Sequence, residues 1–207
     1  MNWLAHVHLS PPDVEFQLGN LLADVLRREP RGVMGPSFEA GRCCHAAIDR
    51  FTDTHPIVQR SKMRIIASHR RYAGILVDML YDHFLAKNWE QFHESTLRDF
   101  TRQFQAEATT RRHQLPEDGA ELIEYLVRED RLYSYRRLEG IEAALQRMSL
   151  RLSLRWKKTV RLQDAVAPIR EHGEEMEKDF LEFFPQLMAH VASGEWWSAR
   201  SSRDDTY

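Results

Sequence analysis

Cysteine is nearly absent from this sequence. Its two cysteines are neighbours, Cys43 and Cys44, and adjacent cysteines rarely reach disulfide geometry with each other. That excludes a secreted scaffold held by disulfides and leaves two small buried hydrophobes as the plain reading. Glycine and proline are sparse, at nine and eight of 207 residues, so there is little turn chemistry to cut the chain into short strands. No window approaches the ~20 apolar residues of a membrane span. The opening "MNWLAHVHLSPPD" has no basic segment ahead of an apolar one and carries two histidines, so no signal peptide is expected and the chain reads as cytoplasmic. An excess of one charge is also missing. Lys and Arg number 29 against 31 Asp and Glu, a formal −2, which excludes a strongly basic nucleic-acid binder on bulk charge. Neither GxxxxGK nor GxGxxG occurs, so there is no Gly-rich phosphate loop.

What is present is helical periodicity. Apolar residues make up 43% and recur at i, i+3, i+4 spacing almost throughout. The spacing predicts a helix over 13–28, opened by Asp13 and closed before Pro30, then a loop, then a helix over 37–53 with Ser37 as its N-cap. A short helix from Pro56 follows, then a very apolar one from about Arg71 to Lys87. A long amphipathic helix is expected over 89–113, another from Pro116, and another over 136–158. The segment from Asp164 to Val191 gives one or two more, with a break at Pro185 as the alternative. The expectation is an all-α fold of eight or nine helices in one compact domain over 1–195, with a polar tail over 196–207. At this length a single core suffices, since cores tend to divide beyond ~250 residues.

Three of these helices carry polar residues that a greasy helix has no cheap use for. In "GILVDMLYDHFLA", nine of the twelve residues from Ile75 to Ala86 are apolar, and the other three are Asp78, Asp82 and His83. Asp78 and Asp82 are four apart, about 40° from each other on one face, and His83 lies about 100° further round. Asn20 and Asp24 repeat the spacing in "FQLGNLLADVL", as do His45 and Asp49 in "CCHAAIDRFTD", with Asp53 one turn on. An unpaired buried carboxylate costs several kcal/mol, so such aspartates need arginine partners or a cation. Aspartate with histidine suits Mn²⁺, Fe²⁺, Mg²⁺ or Zn²⁺, and the lack of thiolates at zinc-finger spacing argues against a structural zinc site. His6 and His8 flank Val7 and would share a face in an extended segment but not in a helix.

The motifs "MNWLAHVHLS", "GNLLADVLR", "HAAIDRFTDTHP", "RRYAGILVDMLYDHFLAKNW", "YRRLEGIEAALQRMSLR" and "FLEFFPQLM" resemble, in this order, the bacterial acyl carrier protein phosphodiesterase family over nearly the whole chain. The resemblance implies an all-helical relative of the HD-domain phosphohydrolases that uses a divalent metal, typically manganese, with magnesium or iron as alternatives. It implies removal of the phosphopantetheine arm from the serine of holo acyl carrier protein, an acidic partner, and no nucleic acid or membrane. The positions matching the family's polar motifs are His6, His8, Asp24, His45, Asp49, Asp78, Asp82 and His83. Of these, Asp24, His45 and Asp82 are the expected metal ligands, joined by His6 and His8. Asp78, His83 and Asp49 are expected to complete the shell or to act as base or orienting group. Two departures stand out: Ala46 and Ala47 follow His45 where the family pattern has an arginine, and Arg131 stands where it has tryptophan.

An acidic partner calls for basic residues. Arg147, Arg151, Arg155 and Lys158 recur at i, i+4, i+8, i+11 as one stripe, with a plain solvated face as the bland reading. Arg27, Arg28, Arg31, Arg70 and Arg71 are further candidates for partner or phosphate. The rival readings are an HD-like phosphohydrolase acting on a nucleotide or other small phosphoester, a di-iron bundle, which would need Glu-x-x-His twice and finds it once at Glu90–His93, and an interaction module whose aspartates pair with arginine.

Overall fold

The computed structural model describes residues 1–32, 34–69 and 72–197. Arg70, Arg71 and the polar tail from Ser198 lie outside them. Among the described residues there is no strand. The helices are α1 (Trp3–His8), α2 (Val14–Leu22), α3 (Pro36–Thr54), α4 (Pro56–His69), α5 (Ala73–Lys87), α6 (Leu97–Arg111), α7 (Glu117–Arg128), α8 (Arg131–Ser134), α9 (Leu138–Trp156) and α10 (Val166–Ser193). Eight of them have seven residues or more. No described helix is long and apolar enough to cross a membrane.

Three boundaries depart from the sequence expectation, each for a local reason. Helix α2 starts as expected, with the Asp13 carboxylate accepting from the Glu15 amide at 2.9 Å, but it ends at Leu22 rather than Arg28. Beyond it the chain runs in turns whose carbonyls are met from α3: Arg42 donates to Leu26 O at 3.3 Å and to Glu29 O at 3.5 Å. Ser37 is not the cap of α3. The helix opens at Pro36 after Gly35, whose φ of 88° only glycine adopts readily, and Ser37 donates instead to the Asp13 carboxylate. The long helix expected over 89–113 is interrupted. Residues Trp89–Gln91 form a 3₁₀ turn, and α6 begins afresh at Thr96, whose Oγ1 accepts from the Asp99 amide at 3.1 Å. Helix α10 runs through Pro185 unbroken.

Helix α5 sits in the centre, packed by α1, α4, α9 and α10. Leu76, Val77, Leu80, Tyr81 and Leu85 are fully buried along it. Phe180, Phe183 and Phe184 of α10 close the core against Tyr81, Phe84 and Phe92. The arginine solution to a buried carboxylate does occur here, at Asp179, which takes Arg60 at 2.7 Å, Arg64 at 3.3 Å and the Ser61 hydroxyl at 2.8 Å. The α2 and α3 backbones approach closely. A Cβ on Gly19 would overlap the Phe38 carbonyl, and one on Gly41 would overlap the Phe16 carbonyl and crowd the Asn20 amide.

Candidate metal centre

Where α1 meets α2 and α3, two imidazoles and a carboxylate converge. Because residues 3–8 are helical, His6 and His8 point to different surroundings. His6 Nδ1 lies 2.7 Å from Asn20 Oδ1, and His45 Nδ1 lies 2.8 Å from the Asn20 carbonyl oxygen. The rings stack at 4.2 Å between centroids and 20° between planes. Their Nε2 atoms face Asp49, His6 Nε2 3.4 Å from Oδ1 and His45 Nε2 3.1 Å from Oδ2. Both Nε2 atoms are buried without a hydrogen-bond partner. Three ligand atoms, one each from His6, His45 and Asp49, lie within 4.8 Å of one another. Asp24, 83% exposed, stands at the rim with Oδ1 3.6 Å from His45 Nε2.

The electrostatics call for positive charge at this point. Burial opposes ionisation of His45, yet the Asp24 and Asp49 carboxylates push its pKa up to about 9. Burial also works against the Asp49 carboxylate, and the two imidazoles and the Met1 ammonium outweigh it, holding the group well below the usual range. His6 is held below its ordinary value by burial. A proton on His45 Nε2 answers part of this field. A divalent cation answers it with both lone pairs at once, and imidazole with carboxylate is the donor set such a cation takes. The residues fit that group, and no arginine ion-pairs with Asp24, Asp49, Asp78 or Asp82 among the described residues.

The other expected site residues are placed as follows. Asp78 accepts from the Met1 ammonium at 3.1 Å, and the same ammonium is 3.6 Å from Asp49, so Asp78 adjoins the group through it. Asp82 does not join the three-residue group. Both its oxygens are taken by the first amides of α1, from Leu4 at 2.7 Å and Ala5 at 3.2 Å. His83 is also elsewhere, with Nδ1 2.7 Å from the Tyr135 carbonyl. His8 sits 3.1 Å from the Phe92 carbonyl among Trp89, His93 and Phe184, where burial lowers its pKa to about 4. Glu90 is exposed and His93 stacks on Trp89, so they make no buried Glu-x-x-His site.

Among the basic candidates, Arg27 is exposed three residues beyond Asp24, while Arg71 is outside the described residues, as are the side chains of Arg151 and Arg155. Arg147 is engaged by Glu129 at 2.8 Å and by the Tyr125 hydroxyl at 3.2 Å, and Lys158 is exposed beyond the end of α9. Arg131, at the second departure, is buried and donates to the Gly140 carbonyl at 3.1 Å. Asn20 is the residue whose part the sequence did not disclose, although its place four before Asp24 on an apolar helix marked it. A cavity of about 430 Å³ lies apart from this group, lined by Lys87, Trp89, Arg98, Tyr133 and Arg136 among others.

Fold and site together define an all-helical protein in which two buried imidazoles and a half-buried carboxylate form a group suited to a divalent cation. A family profile described as "Acyl carrier protein phosphodiesterase" matches residues 1–187. Proteins of that name from Yersinia pestis and Yersinia enterocolitica are 36% and 35% identical, over 91% and 92% of this chain and 96% and 97% of their own. One from Escherichia coli is 32% identical over 93% of this chain and 98% of its own. The chain belongs to the acyl carrier protein phosphodiesterase family, a family of phosphoric diester hydrolases. No solved structure matches it.

Proposed function

We propose that this protein is a cytoplasmic metal-dependent phosphodiesterase. It hydrolyses the bond between phosphopantetheine and the serine of holo acyl carrier protein, releasing the apo carrier. The observation that carries the metal is the pair of buried, unpartnered Nε2 atoms of His6 and His45 converging on Asp49. These three residues would hold the ion, with manganese the first choice and magnesium or iron the alternatives. Bound there, a divalent cation supplies neutralisation of phosphate charge and acidification of a water.

The chain's own groups do the rest. Asp24, at the exposed rim, is positioned to meet substrate or solvent entering the site. Asp49 holds its carboxylate ionised at neutral pH, the form that binds a cation or orients the imidazoles on either side. Asp78 balances the charge of the Met1 ammonium beside it. Asp82 and His83 serve by placing α1 and the Tyr135 segment rather than by touching the phosphate.

The test is incubation with holo acyl carrier protein and Mn²⁺, read by intact mass, beside the His45→Gln variant. The expected result is loss of the phosphopantetheine mass from the carrier, abolished by a chelator and reduced at least 100-fold in the variant. An unchanged carrier mass, with turnover of a nucleotide panel instead, would select a small phosphoester as the substrate.

A further inference from the structure

The orphaned Nε2 atoms raise a question of tautomer. A neutral imidazole offers a lone pair at one nitrogen only, and the hydrogen bond at the other nitrogen decides which. Both rings here answer to the same residue. Asn20 is fully buried. Its Nδ2 donates to the His6 carbonyl at 3.0 Å and to Ser10 Oγ at 2.9 Å, and Ser10 Oγ donates to that same carbonyl at 2.8 Å. The amide therefore has one orientation, since turning it over would set its oxygen against the carbonyl of His6. Oδ1 then faces His6 Nδ1 and can only accept, so the proton is on Nδ1 and the lone pair on Nε2.

The second ring is held by the backbone of the same residue. Asn20 lies in the last turn of α2, whose carbonyls lack an intrahelical donor. Its carbonyl is thus available to His45 Nδ1, and a carbonyl oxygen accepts only, which keeps a proton on Nδ1 and leaves Nε2 as the nitrogen that gives up its proton to a cation. The end of α2 at Leu22, six residues before the sequence suggests, is what frees it.

We propose that Asn20 is the positioning residue of the site, setting the tautomer and aim of both histidines, His6 through its side chain and His45 through its main chain. The proposal rests on the metal reading above for its purpose but not for its test. Any side-chain substitution at 20 leaves the main-chain arm in place, so the two histidines should respond differently, whereas a general loosening of the fold would move both.

The experiment is ¹H–¹⁵N spectroscopy of the metal-free protein, following the hydrogen-bonded Nδ1–H resonance of each ring, together with calorimetric titration of Zn²⁺ as a diamagnetic probe. In Asn20→Ala the His6 resonance should be lost to exchange while that of His45 persists, and Zn²⁺ affinity should fall about 10–100-fold. In Asn20→Asp, which keeps an acceptor at Oδ1, the His6 resonance should be retained. Unchanged resonances in the alanine variant, or loss of both together with a folded chain, would overturn the proposal. Should the alanine variant not fold, the aspartate variant decides: a lost His6 resonance there sinks the idea. If the His6 resonance disappears and Zn²⁺ affinity stays the same, the lock stands and the metal reading fails.

Discussion

Asp82 illustrates how a residue of the right type in the right motif can serve the site at one remove. Its two oxygens cap the first amides of α1, the helix that delivers His6. Burial pushes its pKa up to about 7, against the pull of the Leu4 and Ala5 amides and the Met1 ammonium. The sign of the consequence follows from linkage. An aspartate near 4 when unfolded and near 7 when folded holds, across that window, a proton that the unfolded chain has released. Its contribution to stability is therefore present below about pH 4 and is lost as pH rises through about 7. Comparison with Asp82→Asn isolates this, because the amide does not titrate. In metal-free protein, denaturant titrations at several pH values should show the wild-type advantage over the variant shrinking from pH 4 to pH 7.5 by a few kcal/mol. An advantage that grows with pH would mean the amides and the ammonium, rather than burial, govern this carboxyl.

At the scale of elements, the site depends on how closely α2 and α3 lie. His45 on α3 reaches the Asn20 carbonyl on α2 at 2.8 Å only because Gly19 and Gly41 let the two backbones touch. A methyl at Gly41 meets main-chain atoms that cannot rotate away. Gly41→Ala should cost roughly 1–3 kcal/mol, the usual range for overpacking, and should weaken divalent binding by lengthening the His45 contact. Gly173 in α10 has nothing near its would-be Cβ. Gly173→Ala should instead raise stability by roughly 0.5–1 kcal/mol through helix propensity, with metal affinity unchanged. Thermal melts and Zn²⁺ titration of both variants check the pair, and equal effects at the two positions would remove the close approach from the account. This dependence also explains what the sequence disclosed. The i, i+4 pairs on α3 and α5 were legible because an apolar helix has to account for each aspartate it carries, whereas Asp24 lies beyond the end of α2 and is exposed. The full-length periodicity of 13–28 was misleading: the helix ends at Leu22 and the residues after it run in turns, where Arg42 of α3 meets the carbonyls of Leu26 and Glu29. His83 and His8 share the composition of the site but not its direction, and direction is set by which carbonyl, that of Tyr135 or Phe92, lies beside the ring.

For the whole molecule the decisive quantity is where the positive charge is free to act. A formal −2 gives no general attraction for an acidic carrier, so any steering has to be local. The α9 stripe is a poor source, since Arg147 is already held by Glu129 and Tyr125. Arg27 and Arg28, three and four residues beyond Asp24, and Arg50, next to Asp49, are exposed and form no ion pair among the described residues. Arg27 and Arg28 closely follow the rim residue Asp24 along the chain, which makes them the candidates to test. If the carrier is the substrate, the double variant Arg27→Glu/Arg28→Glu should raise KM for it at least tenfold with kcat little changed, because the interaction acts on encounter and docking rather than on the reacting bond. Arg147→Glu should leave KM within about twofold and cost up to about 1 kcal/mol of stability, the scale of an exposed ion pair. Salt supplies an independent check. Raising ionic strength from 0.05 M to 0.5 M shortens the Debye length from over 10 Å to under 5 Å. It should lower kcat/KM on the carrier severalfold while leaving a small phosphodiester nearly unaffected. Equal salt sensitivity of the two substrates, or a larger effect from Arg147 than from Arg27 and Arg28, would move the docking surface back to α9.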